Sequence, residues 1–72
     1  MVHLNSYEQK KKLTNGDWSY TVKFNPSPNA RALKVIAERG ITMDGEDWKV
    51  IDYDQSITFP YATVTFILRR IS

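Results

Sequence analysis

The chain has 72 residues, with ten basic and eight acidic side chains, one histidine and no cysteine. That length makes one small domain, whose core rarely supplies more than roughly 3–5 kcal/mol without a staple; the missing cysteine excludes disulfides and thiolate metal sites. A formal net charge of +2 permits an anionic partner without requiring one.

Residues 1–16 read as an N-terminal extension with two open forms. Ser6-Tyr-Glu-Gln9 fits a capping box for a short helix ending at Asn15-Gly16. Alternatively, Asn15-Gly16 is a two-residue hairpin turn that pairs Tyr7–Thr14 with Asp17–Phe24, setting Leu13 opposite Trp18 and Glu8 opposite Lys23. The hairpin is favoured, because it places Lys10, Lys11 and Lys12 in an edge strand, where lysines discourage aggregation.

Asp17–Phe24 alternates cleanly. Trp18, Tyr20, Val22 and Phe24 share one face of a half-buried strand, with Ser19, Thr21 and Lys23 on the other. Ser27 and Pro28 suit the N-cap and first position of a helix. Ala30, Leu33, Ile36 and Ala37 form its buried stripe, and Gly40 its C-cap. Thr42–Asp47 reads as a polar turn. Trp48–Tyr53 follows as a strand, with Trp48 and Val50 on one face and Lys49, Ile51 and Tyr53 on the other. Asp54-Gln55-Ser56 reads as a turn, and Pro60 makes Ile57–Phe59 an irregular lead-in.

The closing run Tyr61–Ile71 carries β-branched or aromatic residues on both faces, as expected of a central strand. Residues 17–72 are therefore expected to form an α+β domain with a β-α-β-β core, its sheet antiparallel or mixed and its last strand between the other two. One helix covers one face. The other carries Thr21, Ile51, Tyr53, Thr65 and Ile67, a half-apolar surface that calls for a second copy of the chain.

Three landmarks resemble the bacterial and phage family called domain of unknown function 4177. Trp18-Ser-Tyr20-Thr-Val22 is similar to its W-x-Y-x-V opening, and Asp47-Trp48-Lys-Val50 to its G-W-x-x-V segment. Phe66-Ile-Leu-Arg69-Arg70 resembles its closing strand. Asp47 stands where that family has glycine, Thr42-Met-Asp-Gly45 adds length before it, and residues 1–16 have no counterpart. The resemblance implies a β-α-β-β fold and self-association, with no activity or cofactor to carry over. A looser analogy, of fold alone, is to the dodecins, small oligomeric chains that stack flavin on a tryptophan.

Catalysis needs a nucleophile, an acid–base pair or a metal. With His3 alone near the terminus, only Asp44, Glu46, Asp47, Asp52 and Asp54 qualify, and turn chemistry explains them better than a cation site. The expectation is thus a non-enzymatic, cytoplasmic, self-associating module without cofactor or metal. Trp48, Tyr53 and Tyr61 would stack a small anionic ligand such as a nucleotide, and Arg69 and Arg70 would hold its phosphate. This describes a small sequestering protein of the kind phages use against host nucleotide signals, or an inhibitor of a host protein. The alternative is nucleic-acid binding through Lys10, Lys11, Lys12, Arg31 and Lys34. No apolar run reaches the ~18–20 residues of a membrane span.

Overall fold

The computed structural model describes residues 1–71; Ser72, the last residue of the expected domain, lies outside them. The elements are β1 (Val2–His3), β2 (Gln9–Lys12), β3 (Trp18–Phe24), α1 (Ala30–Arg39), β4 (Ile41–Met43), β5 (Glu46–Thr58) and β6 (Tyr61–Arg70). They form an α+β fold of one helix and a six-stranded mixed sheet in the order β1-β4-β5-β6-β3-β2. Among the paired strands of the described residues, only β1 and β4 pair in parallel. Among the described residues no helix is long and apolar enough to cross a membrane.

β6 lies between β3 and β5, antiparallel to both. Alternation sends Ala62, Val64, Phe66 and Leu68 to the face that α1 covers, and all four are buried. Tyr20 and Val22 of β3 stand beside Phe66 and Val64, and Val50 of β5 beside Leu68. The helix packs on β5 and buries Leu33, with Ile36 against the same core.

The helix starts later than Ser27-Pro28 suggests. Ser27 donates its N–H to the Pro60 carbonyl at 3.2 Å, which holds that segment outside the helix. Asn29 is the N-cap, its side-chain oxygen accepting the Ala32 N–H at 2.8 Å. Ala30 is therefore an exposed first-turn residue and not part of the buried stripe. At the other end, Gly40 (φ +82°) closes the helix as expected, its N–H donating to the Ile36 carbonyl. A Cβ at Gly40 would lie 2.8 Å from the Trp48 carbonyl oxygen, so space as well as conformation requires glycine.

Residues 1–16 form a hairpin arm, with a register one residue from the expected one. Lys12 faces Trp18 and Gln9 faces Thr21; Leu13 faces Asp17 instead of Trp18, and Glu8 donates its N–H to Thr21, not opposite Lys23. The turn holds three residues, Thr14 to Gly16, because Asn15 folds inward. Its side chain accepts the Asp17 N–H at 3.0 Å and donates to the Asp17 carboxylate at 3.2 Å, ahead of left-handed Gly16. The slip turns Lys10 and Lys12 to the helix side and Lys11 to the other. The arm is built into the sheet: β1 joins β4 at one edge and β2 joins β3 at the opposite edge. Between them Leu4 packs on the core and Tyr7 meets Tyr20 edge-on at 5.0 Å.

The stretch expected as a polar turn, Thr42–Asp47, holds the end of strand β4 and the start of β5, because Ile41 and Met43 are apolar enough to be buried beside Trp48. Only Asp44 (φ +56°) and Gly45 (φ +74°) turn, as Asp-Gly favours. Asp54-Gln55-Ser56 and Ile57-Thr58 likewise continue β5 up to a two-residue turn at Phe59-Pro60. Asp54 and Ser56 face water, and the Gln55 amide donates to the Pro28 carbonyl at 3.2 Å. A bulge at Ile51 resets the pairing, so that Val50 faces Leu68 and Asp52 faces Ile67. Tyr53 consequently leaves the expected open face and joins the core beside Phe66. The open face keeps Thr21, Thr65 and Ile67 and gains Asp52, Asp54 and Ser56.

One consequence is a long bare edge. β4 flanks β5 only over Glu46–Trp48. From Lys49 to Thr58, β5 has no strand on its outer side among the described residues. The two-residue turn makes Thr58–Tyr61 a hydrogen-bonded pair, so by alternation the backbone groups of Tyr53, Gln55 and Ile57 point outward. The Tyr53 N–H accordingly meets its neighbour's Asp52 Oδ1 at 2.8 Å.

Phe66 sits at the centre of the core with no exposed surface. Phe66→Ala is expected to cost about 3–5 kcal/mol, enough to unfold the domain in a urea titration followed by circular dichroism. Val35→Ala, at a 40% exposed helix position, should leave the midpoint nearly unchanged.

Candidate functional site

Three polar arrangements stand out, and each is fixed by the pairing just described. At the start of β3, Asp17 is 7% exposed at its side chain and receives Arg69 in a forked contact, Nε to Oδ1 at 3.0 Å and Nη2 to Oδ2 at 3.2 Å. The Arg69 hydrogen bonds hold the Asp17 carboxyl below its ordinary range and raise Arg69.

The second lies at the aromatic end of the helix face. Trp18, Tyr20 and Trp48 pack at tilted or edge-on angles with 5.6–6.5 Å between ring centres, and the Tyr7 ring meets Tyr20 edge-on. The Trp48 indole N–H donates to the Met43 carbonyl at 3.1 Å. Lys10 reaches inward from β2. Its Nζ lies 5.3 Å from the Trp18 ring centre, 5.8 Å from Tyr7 and 5.9 Å from Tyr20. The Asp44 carboxylate, held out by the left-handed turn, pairs with Lys10 Nζ at 3.5 Å and accepts the Tyr20 hydroxyl at 3.2 Å. Burial, more than these neighbours, raises the Tyr20 phenol above its ordinary value.

The third is on the open face near the hairpin tip. Lys23 Nζ lies 4.3 Å above the Tyr61 ring. Thr63 and Ser56 flank it on neighbouring strands, and the Thr21 and Thr65 hydroxyls are 3.2 Å apart. The tip itself projects Ile57 and the 94% exposed Phe59.

The five residues expected to hold an anionic ligand are dispersed. Trp48 and Arg70 come together on the helix face, the guanidinium 5.3 Å from the ring centre and 3.0 Å from Glu46, with Trp48 only 1% exposed. Tyr53 is on that face farther along β5. Tyr61 and Arg69 are at opposite ends of the open face of β6. Of the basic set, Lys10 is turned to the aromatic rings, Lys12 stands 6.0 Å from Trp18, and Lys11 faces the other way. Arg31 and Lys34 are exposed on the helix. Among the five acids, Asp44, Glu46 and Asp47 engage Lys10, Arg70 and Thr42, and no cluster of three metal-ligating side chains occurs among the described residues. Sequence reasoning missed Asp17, Tyr7 and Lys23. Only Lys23 carried a signal, its alternation with Thr21 on one face of a clear strand.

No family model, no curated protein and no solved structure matches the chain.

Asp17 ties the start of β3 to the end of β6 and stabilises the fold only when ionised. Its lowered pKa means that this stability is complete above the ordinary carboxylate range and fades as pH falls through the native value. Asp17→Asn should therefore lower the melting temperature at pH 7, and its melting temperature should fall less steeply than the parent's below pH 4. Parallel curves for the two proteins would mean that the contact contributes nothing.

Proposed function

We propose that the chain is a non-catalytic binding module that works as a two-fold dimer and holds a small anionic ligand on the open sheet face. One observation carries this reading: among the described residues the outer edge of β5 from Lys49 to Thr58 has no strand beside it. Bare edges recruit further strands, and proteins block the ones they do not use. The other two edges are blocked here. β1 is two residues long, and β2 carries three consecutive lysines. Beyond Lys49 and the bulge at Ile51, Asp52–Thr58 has neither lysine nor proline.

A second copy fits that edge in one register better than others. Antiparallel pairing centred on Tyr53 would set Asp52 against Asp54 of the other copy, twice, which like charges oppose. Centred on Gln55, whose backbone points outward, it sets Asp54 against Ser56 and Asp52 against Thr58. It also sets Tyr53 against Ile57, covering apolar surface left open in one copy. The axis is normal to the sheet, so the two open faces become one. On it, Tyr61 offers a ring, Lys23 a charge and the threonines hydroxyls, the set that grips a nucleotide-like anion. Within this reading β3, α1, β5 and β6 are the β-α-β-β unit, and β1, β2 and β4 are additions to it.

Native mass spectrometry and light scattering of protein from its own host test both parts together. The expected result is a dimer at micromolar concentration that retains an anionic small molecule, while Ile57→Lys yields a folded monomer. A folded wild-type monomer would refute the assembly. A dimer from which no anion is recovered, and whose Tyr61 signals ignore added nucleotide, would refute the ligand.

A further inference from the structure

The aromatic end of the helix face is built like a cation receptor. Three rings, Tyr7, Trp18 and Tyr20, lie within 5.3–5.9 Å of one point, the Lys10 ammonium, and the Asp44 carboxylate lies 3.5 Å from it. The negative ring faces and the carboxylate all favour positive charge there. Asp44 is oriented by the Tyr20 hydroxyl and by its own place in a tight turn, so the enclosure does not depend on what fills it.

We propose that this enclosure binds quaternary ammonium groups, and that Lys10 is a built-in occupant that an external cation displaces. Lys10 fits its place loosely. Its ammonium group has three N–H donors, yet Asp44 is the one side-chain acceptor it meets, at 3.5 Å, the outer limit of a hydrogen bond. Its side chain remains 40% exposed. A quaternary ammonium carries no N–H to satisfy and sheds water at lower cost, so ring faces suit it better than they suit a primary ammonium. Lys10 can also leave without disturbing the core, because all four residues of β2 are exposed and β2 pairs on one side only. Lys12, 6.0 Å from Trp18, flanks the enclosure from the edge and adds a second positive charge that an incoming cation must tolerate. As a tethered competitor, Lys10 lowers the apparent affinity for any external cation, and removing it restores the intrinsic value. This inference does not require the dimer.

The test is a titration of the full chain with tetramethylammonium chloride, against sodium chloride of equal ionic strength, followed by the Trp18 indole N–H resonance. The wild-type signal should saturate with tetramethylammonium and not with sodium. Lys10→Ala should reach half-saturation at a concentration at least about ten-fold lower. Asp44→Asn in the Lys10→Ala background should weaken binding again, which a merely non-specific contact with Trp18 would not show. If Lys10→Ala fails to fold, Lys10→Gln, which keeps a polar side chain one atom shorter and without the charge, replaces it. The proposal is overturned if sodium produces the same shifts, or if removing the Lys10 charge leaves half-saturation where it was.

Discussion

The structure depends on an inequality of lengths. β6 has a neighbour along both of its sides, but β5 is flanked on its outer side for three residues and then runs on alone to the hairpin tip. Among the described residues no strand meets the backbone amides and carbonyls left there, and the Tyr53 N–H turns to the Asp52 side chain. The helix shields the core face over β5, the arm of residues 1–16 closes the same face near Tyr20, and the second face stays open. In the proposed dimer a second copy pairs what one copy leaves bare, which would add to the stability of so small a chain.

Its charged contacts do a different job. Arg69–Asp17, Lys10–Asp44 and Arg70–Glu46 each join segments distant in sequence, and all lie at the end of the sheet away from the β5–β6 turn. Two of them lean on aromatic rings as well. That end is closed by aromatic packing and ion pairs, whereas the tip end exposes Phe59 and Ile57. One end of the domain is consolidated and the other is available, a division that suits an interface centred on the far half of β5.

Much of the fold could be read from the residues. The alternation of Trp18–Phe24, the two-faced apolar character of Tyr61–Leu68 and the Gly40 cap identify β3, β6 and the end of α1, because each signal is local. What could not be read was non-local or lay in a single residue. The Ile51 bulge, which moves Tyr53 to the core, leaves no periodic trace in so short a segment. Asp54-Gln55-Ser56 has turn composition, yet pairing with Thr65, Val64 and Thr63 makes it strand, since tertiary context overrides propensity. The hairpin slipped by one residue through Asn15, whose side chain folds into the turn. The site was less legible than the fold. Lys10 was visible as a charge, but its enclosure joins residues 7, 18, 20 and 44, which only the assembled sheet brings together.

The claim on which the account rests, that β5 carries an edge made to be paired, is met most directly by amide hydrogen exchange at Gln55 and Ile57 across a concentration series. If the edge pairs, both amides exchange freely at high dilution and become protected as concentration rises, while those of Asp54 and Ser56, bonded within the β5–β6 ladder, stay protected throughout. Gln55 and Ile57 amides that exchange equally fast at every concentration would contradict it.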